Sequence, residues 1–167
     1  MLKMKIALVF AGLILVATSA VAQTKISGTI QCGKPDQQTA IPVNDRPGHA
    51  FVVVKVKCTW IKSFELAGVQ PKTGEDTGFS EVDGTKSRDT GYDVTTMANG
   101  DKFFVRFSGT STSDKNGVLQ ASTGTWSFIN GTGKLKGITG KGTFKGKGAA
   151  DGSATTEVEG EYQVGSK

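Results

Sequence analysis

The sequence predicts an all-β protein, a single antiparallel barrel of about eight strands. Three observations lead to this prediction. Glycine is dense between positions 121 and 162, residues 50–61 alternate strictly between two faces, and Asn-Gly turns separate several short apolar runs. Dense glycine disfavours a helix because glycine loses the most backbone entropy on ordering. Closely spaced strands with bends, closed into a sheet without exposed edges, fit the pattern best.

A secretory signal peptide precedes the predicted barrel. Two lysines near the start are followed by an apolar run at 6–16 and by an Ala-Val-Ala cleavage pattern at 20–22. The run is shorter than the roughly 20 residues that a membrane-spanning helix needs. We therefore predict a signal peptide over residues 1–22, a single barrel domain over residues 23–167, and export to the periplasm or the extracellular space.

The predicted mature chain is mildly basic. The whole sequence has a formal net charge of +5, and loss of Lys3 and Lys5 with the signal peptide lowers it by two, to +3. This charge is compatible with weak electrostatic contact with anionic surfaces, and it indicates no specific nucleic-acid partner.

Five lysines fall within fourteen residues and are spaced by glycines: Lys134, Lys136, Lys141, Lys145 and Lys147. Only one aromatic residue, Phe144, stands among them, whereas a single-strand binder offers several stacking platforms. We interpret the lysines as a solvated outer face that discourages edge pairing. A patch for phosphate groups remains the alternative.

The mature chain contains two cysteines, Cys32 and Cys58. In an oxidising compartment such a pair predicts a structural disulfide, here closing a loop of about 25 residues. The spacing is not that of a CxxC motif, and His49 is the only histidine. The sequence therefore predicts neither a metal site nor a cofactor.

The strands are predicted from alternation and from turn residues. Residues 25–31 give a first strand and residues 50–61 the clearest one, with one wholly apolar face. The proline-containing residues 33–48 and the polar residues 71–77 are predicted to be loops, and residues 64–68 allow a helical turn. Further strands flank turns at 83–84, 99–100, 116–117 and 130–133, and the last strand spans about 154–164.

Residues 125–144 read TWSFINGTGKLKGITGKGTF. This run resembles the glycine-rich hairpin of allene oxide cyclase-like and dirigent-like β-barrels, and of exported bacterial proteins that share the segment. Asn130 and Leu135 depart from the pattern, which more often has a glycine and an aromatic residue there. The resemblance implies an eight-stranded, calycin-like barrel. It also implies a small-molecule cyclase or isomerase that uses the lumen, but it assigns no catalytic residue.

The sequence lacks a recognisable catalytic constellation. It has no GxSxG, no P-loop and no paired-carboxylate signature. His49 is interpreted as a hydrogen-bonding residue at a loop edge rather than a general base. Glu81, Asp83 and Asp89 are interpreted as turn and surface carboxylates. The catalytic residues are thus unknown, and a non-enzymatic binding or structural module is the leading hypothesis, with the cyclase or isomerase as the alternative.

A small apolar molecule is the one partner that the barrel hypothesis suggests, since eight-stranded barrels can hold a ligand. Trp60, Tyr92 and Trp126 would line such a lumen, with Arg106 and His49 as its polar groups. The aromatic side chains can equally fill the core, and a filled or nearly filled core is the interpretation that we favour from sequence.

Overall fold

A computed structural model describes residues 23–165 of the chain. The predicted signal peptide lies outside the described residues, and the predicted domain boundaries stay a prediction. The described part forms one nine-stranded antiparallel sheet and one short 3-10 helix, at Gly133–Leu135. The strands are β1 Thr24–Cys32, β2 Gln37–Pro42, β3 His49–Lys62, β4 Pro71–Asp83, β5 Lys86–Met97, β6 Lys102–Ser113, β7 Leu119–Gly131, β8 Thr139–Gly148 and β9 Ala154–Gln163.

Eight of the nine strands close into a barrel. Their order around it is β1-β9-β8-β7-β6-β5-β4-β3, and β3 pairs back with β1 to complete the ring. The predicted antiparallel barrel of eight strands is therefore confirmed. No helix within residues 23–165 has the length and apolar character needed to span a bilayer.

The ninth strand, β2, lies in the segment that was predicted to be a loop, so that prediction is wrong. It pairs with the first half of β3, from Gln37 opposite Lys55 to Pro42 opposite Ala50, while β1 pairs with the second half of β3. Pro42 is the last residue of β2, a position where a missing N–H is tolerated at a sheet edge. The prolines of this segment therefore bound a strand and do not prevent one.

The predicted loop over residues 71–77 is also wrong, because these residues form the first half of β4. They look loop-like because the inward side of the strand has Gly74 and Asp76 in place of apolar side chains. The helical turn considered for residues 64–68 does not form either. Leu66 instead makes an isolated bridge with Val69 and is fully buried.

One end of the barrel is closed by apolar side chains from the loops and hairpins that meet there. None of these side chains is more than 2% exposed: Leu66, Met97, Phe103, Leu135 and Ile138. They form a single buried cluster together with Ile26, Trp126 and Phe128. This cluster is the larger of two buried apolar clusters, the other being Ile30 with Cys32 and Cys58, and several of its aromatic rings also line the lumen.

Inward-facing glycines make room for aromatic rings of neighbouring strands. The indole of Trp126 on β7 lies over Gly142 on β8 and Gly160 on β9. A methyl group on either glycine would come within 2.6 Å or 2.5 Å, respectively, of that ring. The indole N–H donates to the carbonyl of Thr143 at 3.2 Å. We expected these glycines to mark bends, but within β8 and β9 they provide space.

The predicted disulfide between Cys32 and Cys58 is present. Cys32 ends β1 and lies directly opposite Cys58 on β3. The bridge therefore crosses the seam at which the barrel closes.

Candidate functional site in the barrel lumen

The barrel encloses a cavity of about 280 Å³. The filled or nearly filled core favoured from sequence does not agree with a cavity of this size. The reason lies largely in β8, whose inward positions are glycine at 140, 142, 146 and 148, with Phe144 as the single large side chain among them. Aromatic rings form much of the cavity wall: Trp60, Phe64, Phe103, Phe107, Trp126, Phe128 and Phe144.

Three carboxyl groups interrupt this apolar wall: Asp76 on β4, and Asp89 and Asp93 on β5. Asp76 and Asp93 are directly opposite each other in the register of the two strands. Asp93 is only 9% exposed. The wall therefore carries two facing carboxyl groups in a largely apolar surrounding.

A short hydrogen-bond chain orients Asp93. The hydroxyl of Thr95, which is fully buried, donates to Oδ1 of Asp93 at 2.6 Å, and the indole N–H of Trp60 donates to the Thr95 hydroxyl at 3.4 Å. The second oxygen, Oδ2, is buried and has no hydrogen-bond partner within the described residues. Such a buried acceptor is costly unless a proton or a ligand satisfies it.

Burial and the facing carboxyl of Asp76 raise the pKa of Asp93 well above its ordinary value. Burial also raises the pKa of Asp76, while a hydrogen bond from Asp93 lowers it. Two like charges this close in an apolar site cannot both ionise readily. Of the two, Asp93 is the more buried and has its pKa raised further, so it is the carboxyl of the pair that more readily keeps a proton.

Asp89 lies in a more polar part of the wall. Its Oδ1 accepts hydrogen bonds from the hydroxyls of Ser80 at 2.6 Å and Ser87 at 2.9 Å, and Ser87 also contacts Ser111 at 2.6 Å between hydroxyls. The interpretation of Asp89 as a surface carboxylate is therefore wrong. It faces inward because it shares the face of β5 that carries Asp93.

We expect Asp93→Asn to flatten the pH dependence of stability. Because the folded-state pKa of Asp93 is raised, the native protein binds more protons than the unfolded chain above about pH 4, so this group reduces stability as pH rises. Asparagine cannot ionise, and its amide can donate to Asp76 as the shared proton does. Urea unfolding between pH 4 and pH 8 should show a smaller loss of stability in the variant than in the wild type.

Glu157→Gln is the matched control for this measurement, since Glu157 is an exposed carboxylate on the outer face of β9. It should follow the wild-type pH profile. An Asp93→Asn profile that also coincides with the wild type would show that Asp93 is ionised at ordinary pH.

Two of the five predicted lining residues, Trp60 and Trp126, lie on the cavity wall. Tyr92 does not, because it points outward from β5 and is 50% exposed. Arg106, its partner on β6, is exposed on the same outer side. The placement of Tyr92 and Arg106 in the lumen is therefore wrong. On β5 the more polar face points into the barrel, whereas a strand usually turns its apolar face inward.

His49 also lies away from the cavity wall. As the first residue of β3, it has Nδ1 at 2.5 Å from Oδ1 of Asp45 and Nε2 at 3.4 Å from Oε1 of Glu81. The adjacent Arg46 pairs with Asp45 at 2.5 Å and with Asp83 at 2.9 Å. This hydrogen bonding fits the structural role expected for His49 and removes it from the set of lumen residues.

The three lysines of β8 point outward, and two of them face carboxylates on β9, whereas Lys147 is opposite Thr155. Lys141 is opposite Glu161, and Lys145 is opposite Glu157. This arrangement offsets part of the positive charge locally, since a cation beside an anion attracts an anionic polymer less strongly. It therefore favours the solvated outer face over a phosphate-binding patch.

One group of potential metal ligands occurs within the described residues. The sulfur atoms of Cys32 and Cys58 and a carboxylate oxygen of Asp76 lie within 4.8 Å of one another. Both sulfurs are bonded in the disulfide. They therefore offer no thiolates, which are the form of cysteine that binds metal.

The sequence reasoning missed Asp76 and Asp93. One usable signal was the alternation of side chains along β5. Asp93, Thr95 and Met97 fall on the same face, and because methionine is expected in a core, that face should point inward. The facing position of Asp76 depends on the register between β4 and β5. That register could not be assigned while residues 71–77 were taken for a loop.

Neither a protein-family model nor a curated protein matches this sequence. Among solved structures, the chain is similar to the pterocarpan synthase dirigent protein GePTS1, with a TM-score of 0.50 and 10% identity over 90% of this chain and 91% of that chain. It also matches the dirigent protein PsPTS1, with a TM-score of 0.49 and 11% identity over 87% and 97% of the two chains. A Shewanella oneidensis MR-1 protein of unknown function from the DUF3224 family matches with a TM-score of 0.49 and 14% identity, over 87% and 100%.

The likeness to GePTS1 concerns the fold alone, and it agrees with the barrel architecture that the glycine-rich segment indicated. The chemistry of the lumen has to be argued from the residues of this chain.

Proposed function

We propose that this protein is an exported, non-enzymatic binding module that holds one small, largely apolar molecule in the lumen of its barrel. The observation that carries the proposal is the cavity of about 280 Å³ with its wall of aromatic rings. Ligand sites in proteins are typically concave, mostly apolar, and supplied with a few convergent polar groups. The aromatic wall and the carboxyl pair have this composition.

The internal disulfide supports the export part of the proposal. A bridge of this kind persists in oxidising compartments and is rare in reducing ones. The signal peptide predicted from sequence agrees with it. Export is checked by locating the protein in cell fractions and by sequencing its mature N-terminus, which should begin at Gln23.

The lumen proposal is tested with the intrinsic fluorescence of the protein. The chain has two tryptophans, and both lie on the cavity wall. Titration with the uncharged probe N-phenyl-1-naphthylamine should change tryptophan emission saturably, with one probe bound per chain. Mass spectrometry of molecules that co-purify with the protein would then identify the natural ligand.

Two neighbouring threonines of β9 provide a matched pair of variants. Thr156 lines the cavity, whereas the side chain of Thr155 is exposed outside the barrel. Thr156→Phe should fill the cavity and abolish probe binding, and Thr155→Phe should leave binding unchanged. Equal binding by both folded variants would place the probe outside the lumen and overturn the proposal.

The carboxyl pair favours a second candidate, a cyclase or isomerase. Protonated Asp93 can give a proton to a bound molecule while Asp76 accepts one, so the exchange consumes no cofactor. The experiment is to incubate small-molecule extracts with the wild type and with Asp93→Asn. A compound that the wild type converts and Asp93→Asn does not would establish the enzyme. If neither protein converts any compound, binding remains the proposed function.

A further inference from the structure

We infer that the lumen is selective for a cationic ligand, namely a small molecule that joins an aromatic or aliphatic body to an ammonium group. This inference rests on the proposed lumen binding and narrows it to one ligand class. It follows from the combination of carboxyl groups and aromatic rings on a wall that offers no cationic side chain.

The charges on the wall are all of one sign. The titratable side chains among the lining residues are Asp76, Asp89 and Asp93, and no lysine, arginine or histidine of the described chain is among them. This is notable because the protein as a whole is basic, with 20 Lys and Arg residues against 15 Asp and Glu. A carboxylate ligand would meet only like charges there, whereas an ammonium group would meet only opposite ones.

One buried hydrogen-bond acceptor of the wall residues has no hydrogen-bond donor within the described part of the chain. Asp93 is a residue of the cavity wall, and its Oδ2 is buried and has no hydrogen-bond partner within residues 23–165. Oδ1 of the same residue is already engaged by Thr95 at 2.6 Å. An ammonium group offers up to three N–H donors and can bond to both members of the pair.

The aromatic rings of the wall also favour a cationic ligand, in addition to the hydrogen bonds that the carboxyl groups accept. Trp60 and Trp126, with several phenylalanine rings, surround the same space as the carboxyl groups. The face of an aromatic ring attracts a cation, and the attraction is stronger where water is excluded. The same rings contact the apolar body of the ligand. Ring and carboxyl groups together therefore favour an amine over a neutral alcohol of the same shape.

Binding of a cation should be linked to release of the shared proton. The groups that face Asp93 are Asp76 on β4 and, along its own strand, Asp89, and the inward neighbours on β1, β3 and β6 are uncharged. A bound ammonium stabilises the ionised form of both carboxyls, so the affinity should rise with pH while the amine remains protonated. An uncharged ligand should show no such rise.

The test uses three probes of nearly the same shape: 2-phenylethylamine, 2-phenylethanol and 3-phenylpropionate. Each is titrated into the purified, disulfide-bonded protein while the emission of the two lumen tryptophans is followed. We expect the amine to bind at least about tenfold more tightly than the alcohol, and the carboxylate to bind most weakly.

The outcomes separate the two proposals. An alcohol that binds as tightly as the amine, or a carboxylate that binds best, would overturn the cation selectivity and leave lumen binding standing. Failure of all three probes, together with failure of N-phenyl-1-naphthylamine, would overturn both.

A pair of variants tests the role of the carboxyls directly. Asp76→Asn combined with Asp93→Asn should reduce the amine's affinity toward that of the alcohol and remove its pH dependence. Binding of the alcohol to this variant shows that the lumen is intact. Glu157→Gln, which removes one negative charge from the outer surface, should leave all three affinities unchanged. An amine preference that survives in the double variant would overturn the inference, and the probe series on the wild type decides it if the double variant does not fold.

Discussion

Trp126→Ala is expected to destabilise the protein by about 3–5 kcal/mol. The indole is only 7% exposed and belongs to the core cluster. Its ring fills the space above Gly142 and Gly160, which have no side chain with which to close the gap. The substitution also removes the donor to the carbonyl of Thr143. Urea or thermal unfolding of the folded protein measures the loss.

Tyr92→Ala is the control for this prediction. It also deletes an aromatic ring from the barrel, but that ring is 50% exposed on the outer face. It should cost less than about 1 kcal/mol, as surface substitutions usually do. A similarly small loss for Trp126→Ala would show that the indole does not contribute to the core as the structure indicates.

Replacement of both cysteines by alanine is expected to cost about 3–4 kcal/mol, the magnitude given by the chain-entropy model for a loop of this length. The cysteines are 26 positions apart in sequence. The bridge also crosses the weakest ladder of the barrel. Along the seam, only Thr29, Ile30, Gln31 and Cys32 of β1 pair with β3, and the ladder shifts register between Thr29 and Ile30.

Loss of the disulfide should affect the strands at the seam more than the rest of the barrel. In the Cys32→Ala/Cys58→Ala variant, amide hydrogen exchange should accelerate most in β1 and in the half of β3 that pairs with it. The β5–β6 pair, which has a continuous ladder on the far side of the barrel, should change least beyond the global loss. Uniform acceleration in all strands would mean that the bridge stabilises the fold without holding the seam.

A thiol titration verifies the starting point for this comparison. The denatured, unreduced wild type should contain almost no free thiol, because both cysteines are in the bridge.

Much of the fold could be predicted because it depends on local patterns. The alternation in residues 50–61 and the Asn-Gly turns identified strands and hairpins, and the glycine-rich segment indicated the barrel. The loops assigned to 33–48 and 71–77 were wrong for a physical reason. An edge strand such as β2 need not be apolar, and β4 carries Gly74 and Asp76 on its inward face.

The candidate site was less predictable than the fold. Trp60 and Trp126 could be expected in the lumen because large aromatic residues on strands usually face a core. Tyr92 and Arg106 were misplaced because β5 and β6 place them outside. Asp76 and Asp93 were missed because each is unremarkable alone, and only their cross-strand register makes them a pair.

The sequence by itself determined the all-β class, the strand-forming segments and the pair of cysteines available for a bridge, since these follow from side-chain periodicity, glycine content and composition. The tertiary structure alone decided that the barrel is hollow and that its wall carries facing carboxyl groups. The physical reason is that strand register and inward or outward orientation are set by closure of the whole ring, because every strand must match two neighbours at once. The chemistry of the lumen depends on that match and on no single segment of the chain.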